Sequence, residues 1–133
     1  MGRILGIDYG DRRVGIAVSD ETHSCAFVRR TLQNRGFTGL VADLRAIVQD
    51  ENIERIVAGL PRSMDGSEGV QAEKVKKAVE KIAEALQVPA IFEDERLTTS
   101  YADRFVDSSA DRDSIAAAAI LESYLERTGG ANK

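Results

Sequence analysis

The stretch Arg3-Ile4-Leu5-Gly6-Ile7-Asp8-Tyr9-Gly10-Asp11-Arg12-Arg13-Val14-Gly15-Ile16-Ala17-Val18-Ser19 decides the fold. It opens with a short apolar run, Ile4, Leu5 and Ile7 around Gly6, that ends on a carboxylate, Asp8. Tyr9-Gly10-Asp11 then offers turn chemistry, since glycine adopts positive φ without steric cost and aspartate bonds its own backbone. Val14, Ile16 and Val18 resume with period two and share one bulky face. Gly15, Ala17 and Ser19 share the other, which is small enough for something to approach closely. A carboxylate directly after a strand apolar on both faces is costly to bury unless it is paired or binds a metal. Asp8 either starts the turn or serves as a ligand, and the rest of the chain decides between these.

Outward from this hairpin, Ser24 to Gln33 reads as a third strand, with Arg29-Arg30 as charges that protect a sheet edge. Leu40, Val41, Leu44, Ile47 and Val48 predict a helix over 38–50 with one apolar stripe. Ile53 to Leu60 is a β-branched strand ended by Pro61. Residues 61–69 are a polar loop in which Asp65-Gly66 signals a turn and Ser67 is placed to cap the next helix. That helix, 69–87, buries Val75, Ala78, Val79, Ile82 and Leu86; its Lys/Glu face reads as solvated. Val88 to Phe92 predicts a fifth strand, followed by Glu93-Asp94-Glu95-Arg96. Three adjacent carboxylates repel one another, so they are either solvated or offset by a cation. Thr98 to Phe105 reads as a short helix, 107–112 as a polar loop, and Asp113 to Glu126 as a helix carrying four successive alanines. The ordinary role of Asp113 is to cap that helix. Residues 128–133 read as a flexible tail.

Composition bounds the rest. At 133 residues, 43% hydrophobic and 30% charged, the chain reads as one soluble globular domain. A net charge of −4 argues against a protein that coats nucleic acid by charge alone, but not against one whose carboxylates hold metal. One cysteine, Cys25, and one histidine, His23, leave zinc sites and His-based triads without parts. No signal peptide or membrane span is legible, so the expected location is the cytoplasm and no membrane partner is expected.

The element order gives an α/β fold with a mixed five-stranded sheet in the order 3-2-1-4-5 and helices on both faces. Three consecutive strands suggest an antiparallel meander, and later crossovers add parallel strands beside the first. Strands one, four and five then end along one edge. Asp8 lies at that edge and Glu95 just past it. A small-residue helix packed back on the sheet brings Asp113 to the same place. Three carboxylates from distant segments make a site for a hard divalent cation, Mg2+ or Mn2+.

Four blocks carry a resemblance. They are Gly6-Ile7-Asp8-Tyr9-Gly10 with Arg13-Val14-Gly15-Ile16-Ala17-Val18-Ser19-Asp20; Val57-Ala58-Gly59-Leu60-Pro61 with Met64-Asp65-Gly66; Asp94-Glu95-Arg96-Leu97-Thr98-Thr99; and Asp113-Ser114 followed by Ile120-Leu121-Glu122-Ser123-Tyr124-Leu125. In this order they resemble the YqgF/RuvX family of bacterial Holliday-junction resolvases and pre-16S ribosomal RNA nucleases. The resemblance implies an RNase H-like fold and metal-dependent phosphodiester cleavage. It implies catalytic and metal-binding roles for Asp8, Glu95 and Asp113. Expected phosphate contacts come from Arg13 and Arg96, with Asp65 on the loop that closes over substrate. Arg12 reads equally as a phosphate contact or a solvated side chain. Two carboxylate-held ions would activate a water and stabilise the leaving 3′ oxygen. The products implied carry 5′-phosphate and 3′-hydroxyl ends. Before the last helix the chain has Ser108-Ser109-Ala110-Asp111-Arg112 where the family often has lysines, so no basic contact is carried over there. Asp111 competes with Asp113 as third ligand; the downstream Ile-Leu-Glu-Ser-Tyr sets the register in favour of Asp113.

The expected partner is nucleic acid, either precursor 16S RNA or branched DNA, acted on by a monomer or a homodimer. An actin-like ATPase needs two such domains and fits the length poorly. A binding module without catalysis would favour basic residues where three carboxylates stand.

Overall fold

The computed structural model describes residues 2–61, 69–94 and 111–128. The strands are β1 Arg3–Tyr9, β2 Arg13–Ser19, β3 Ala26–Gln33, β4 Ile53–Leu60 and β5 Ala90–Asp94. The helices are α1 Phe37–Asp50, α2 Val70–Leu86 and α3 Arg112–Arg127. One sheet runs β3-β2-β1-β4-β5, with β1, β4 and β5 parallel and β2 and β3 antiparallel to their neighbours. This is the expected order. The predicted helix over 98–105, with Glu95, Arg96, Asp65 and Ser67, lies outside the described residues. Among the described residues no helix is long and apolar enough to cross a membrane.

Period two sorts the strands between two cores. Leu5, Ile7, Val14, Ile16, Val18, Ile56, Ala58 and Leu60 face α1 and α2. Ile4, Ala17, Ala26 and Val57 face α3. Burying both faces of β1 and β4 explains their near-continuous apolar sequence. Asp8, two residues beyond Gly6 and four beyond Ile4, therefore points to the α3 side.

The small face of the hairpin is where α3 lies. A methyl group on Gly15 would sit 1.9 Å from the Asp113 carbonyl oxygen, and one on Gly6 would sit 2.9 Å from that of Ala117. Ala117, Ala118 and Ala119 are buried at this contact. Helix backbone thus packs on strand backbone, which larger residues on either side would prevent.

Four polar ties hold α3 along its length. The Asp111 carboxylate accepts the Thr31 hydroxyl of β3. The buried Glu122 accepts the Ala26 N–H at 3.2 Å. The Tyr124 hydroxyl meets Arg55 Nη1 of β4 at 3.0 Å. Glu93 of β5 accepts Ser123 Oγ at 3.0 Å and Arg127 Nη2 at 2.7 Å.

That last tie corrects the fifth strand. It begins and ends two residues later than predicted, so Glu93 and Asp94 belong to it. Glu93 is not part of a solvated acidic loop: its side chain is 2% exposed and its charge is met by Arg127. A buried carboxylate persists only with such partners.

The third strand is a sheet edge, as its arginines suggested, but its alternation is broken. Ala17 pairs with Val28 while Gly15 pairs with Thr31. Arg29 and Arg30 therefore stand together opposite Ile16, a β-bulge. The extra residue turns Thr31 toward α3, the usual effect of a bulge near a site. Arg29 leaves the bulge to bond Glu51 at 2.8 Å.

Candidate functional site

The site lies at the carboxyl ends of β1, β4 and β5, beside the β1–β2 turn. Asp8 pairs with Gly15 across the antiparallel ladder, which places their Cα atoms about 4.5–5.5 Å apart. Gly15 in turn abuts the Asp113 backbone. Asp8 and the Asp113 backbone, from two of the three predicted site residues, thus lie on either side of one glycine, and both residues are half-buried.

The identity of the helix cap separates Asp111 from Asp113. Asp111 is the N-cap: its side chain accepts the Ser114 N–H at 3.0 Å and the Ser114 hydroxyl at 2.8 Å, besides the Thr31 hydroxyl. One carboxylate oxygen, Oδ1, takes all three bonds, which close the first turn and tie it to β3. Asp113 does not cap the helix; it sits one residue inside, in the first turn, where the helix dipole favours a negative group.

Arg13 reaches back along the hairpin edge to Asp113, with Nε 2.8 Å from Oδ2. The arginine side chain is 62% exposed and the aspartate 26%. Its predicted partner was a phosphate; in the structure its partner is a site carboxylate. Arg12 is exposed, as one of its two readings had it.

The turn itself is held from both sides. Asn34 Nδ2 donates to the Gly10 carbonyl at 2.9 Å, and the Asn34 N–H donates to the Arg12 carbonyl at 2.8 Å. Lys74 of α2, on the face read as solvated and 57% exposed, pairs with Asp11 at 2.9 Å. Thr31, Asn34 and Lys74 escaped the sequence reading. Asn34 alone carried a signal, as an asparagine ahead of Gly36, whose φ of 95° only glycine adopts readily. His23 is buried far from this edge, with Nε2 2.8 Å from the Gly2 carbonyl at the opposite end of β1.

Two predictions arise here. Thr31→Val is expected to lower stability by about 1 kcal/mol, because a capping carboxylate loses its partner from the sheet. Thr31→Ser should restore it; denaturant melts of the two variants decide. The second concerns acid. The Thr31 hydroxyl, the Ser114 N–H and Arg13 hold the Asp111 carboxyl below its ordinary range. Arg29, then Arg3, does the same for Glu51. Both groups titrate near pH 4 when unfolded, so the stability they contribute is present above about pH 4 and is lost as pH falls through their lower folded values. The melting temperature should fall below about pH 4, and less steeply in Asp111→Asn and Glu51→Gln.

Among the described residues no group of three or more His, Cys, Asp or Glu is placed to hold a metal ion. The described part of the site offers two carboxylates with hard oxygen donors, a donor set suited to Mg2+ or Mn2+. Glu95 follows directly on Asp94, the last residue of β5, which pairs with Leu60 of β4.

Comparison with known proteins adds findings of three kinds. The model of a family described as "RuvX: Holliday junction resolvase" matches residues 2–127. A "Putative pre-16S rRNA nuclease" of Caldanaerobacter subterraneus subsp. tengcongensis is 41% identical over 133 aligned residues, covering 93% of this chain and 96% of that one. A protein of the same name from Mesorhizobium japonicum is also 41% identical, covering 95% and 81%. In fold, the chain is similar to Thermus thermophilus RuvC, solved in complex with a Holliday junction substrate (TM-score 0.70, 14% identity, 100% and 99% covered). It is also similar to the fowlpox virus Holliday junction resolvase (TM-score 0.55, 14% identity, 94% and 99% covered). These two establish an RNase H-like fold.

Proposed function

The chain belongs to the RuvX family, and from that premise we propose that it is a divalent-metal-dependent nuclease that processes the 5′ end of precursor 16S ribosomal RNA. The observation that carries this reading is the placement of Asp8 opposite Gly15 and of the Asp113 backbone against that same glycine, at the strand edge where α/β folds bind ligands. The naming of the curated relatives supports the RNA substrate.

Asp8, Glu95 and Asp113 would hold Mg2+ or Mn2+. When bound, the metal supplies Lewis-acid charge at the phosphate and acidifies water. The chain's own part is to place the reacting groups. The Asp111 cap and the ties of Glu122, Ser123 and Tyr124 hold α3, and so Asp113, in register with β1. Asn34 holds the turn that joins Asp8 of β1 to Arg13 of β2. Arg13 and Arg96 would take phosphates, and Asp65 would contact substrate from its loop. Arginine suits the phosphate role through its fork of donors. No covalent protein nucleophile is required, and the expected products carry 5′-phosphate and 3′-hydroxyl ends.

A second reading, cleavage of four-way DNA junctions, is favoured by the description of the family model. Such a substrate has two-fold symmetry and calls for a dimer. The deciding experiment offers a precursor 16S RNA leader and a synthetic four-way junction side by side, with Mg2+ or Mn2+. Cutting of the RNA alone supports the proposal, and cutting of the junction alone favours the second reading. Binding of both without cutting would leave a nucleic-acid-binding module.

A further inference from the structure

We infer that Arg13 is an exchangeable counter-ion of Asp113, which a divalent metal displaces and thereby releases to bind a substrate phosphate. This rests on the metal-site reading above and goes beyond it by coupling metal binding to nucleic-acid binding. The guanidinium reaches Asp113 through Nε, 2.8 Å from Oδ2. A guanidinium there carries positive charge to the place where a cation ligated by Asp113 would sit. Two cations about 4 Å apart repel, and near a surface the repulsion is only partly screened. They therefore compete for one carboxylate.

The alternative is that Arg13 merely orients Asp113. The surroundings argue otherwise. The Asp111 cap and the Gly15 contact already fix the start of α3. Arg13 is itself 62% exposed, at the first residue of β2, and free to swing into solvent. Among the described residues Asp111 also feels its charge, but that carboxylate is already met by Thr31 and Ser114, which leaves it less able to take the displaced guanidinium. A phosphate supplies one. By linkage, metal and nucleic acid then strengthen each other's binding through this side chain.

The test is Mn2+ binding to the full chain by calorimetry, without nucleic acid, in the parent, Arg13→Ala, Arg13→Lys and Asp8→Asn. Arg13→Ala is expected to bind Mn2+ about tenfold more tightly at low salt, because a competing charge is gone. Arg13→Lys keeps the charge and should stay near the parent. Binding of labelled single-stranded RNA in Ca2+, a hard cation with the same ligand preference, should weaken in Arg13→Ala. Its salt slope should fall by about 0.7, one phosphate contact. Unchanged or weaker Mn2+ binding in Arg13→Ala overturns the exchange while leaving the metal site standing. A parent that binds no Mn2+, or binds it undiminished in Asp8→Asn, overturns the metal site and the exchange together.

Discussion

Asp8→Asn is expected to lower cleavage on the order of 10³-fold or more, equivalent to about 4 kcal/mol of transition-state stabilisation. The amide keeps the shape of the side chain and removes its charge, and a neutral oxygen is a much weaker ligand for a hard cation. Asp8 stands one residue from the end of β1, with Gly15 opposite and the Asp113 backbone beyond it. Stability should change by no more than about 1 kcal/mol, since the half-buried group is replaced by an isostere. Single-turnover cleavage alongside a thermal melt separates the two quantities. Activity within tenfold of the parent would remove Asp8 from the site.

Gly15→Ala should give a large loss of stability, greater than that of Gly6→Ala. The new carbon would lie 1.9 Å from the Asp113 carbonyl oxygen, 2.3 Å from its carbonyl carbon and 2.9 Å from the Ser114 nitrogen. All three are backbone atoms, so no side chain can swing aside, and α3 itself must move. Overpacking of this kind costs about 3 kcal/mol, which lowers the melting temperature of a domain this size by roughly 10 °C. Because the helix start carries Asp113, Mn2+ affinity should fall along with stability. Gly6→Ala is the control: its contacts, 2.9 Å to the Ala117 oxygen and 3.0 Å to Leu121 Cβ, are less severe and lie about one and two helical turns from Asp113. It should cost less and leave metal binding nearer the parent. Equal losses in the two variants would contradict a contact specific to the start of α3.

These predictions depend on features of unequal legibility. The alternation of Val14, Ile16 and Val18 with Gly15, Ala17 and Ser19 showed that one face of the hairpin is small. The run from Ala116 to Ala119 showed a helix able to lie close. Together they were enough to bring the start of the last helix onto Gly15, opposite Asp8, because backbone packing demands small residues on both partners. The cap was harder. Asp111 and Asp113 are both good N-caps by residue type, and the Thr31 hydroxyl that engages Asp111 comes from another strand.

Strand order, the placement of helices on the two faces and the close approach of the last helix to the small face of the hairpin were determined by the sequence itself, through period-two burial, crossover rules and side-chain size. Tertiary structure alone decided the bulge at Arg29 and Arg30, the burial of Glu93 under Arg127, the reach of Lys74 to Asp11 and the pairing of Arg13 with Asp113. Periodicity reports which face a residue occupies, because neighbours along the chain impose it. It does not report which charge from a distant segment arrives opposite, because that partner is chosen only once the layers have packed.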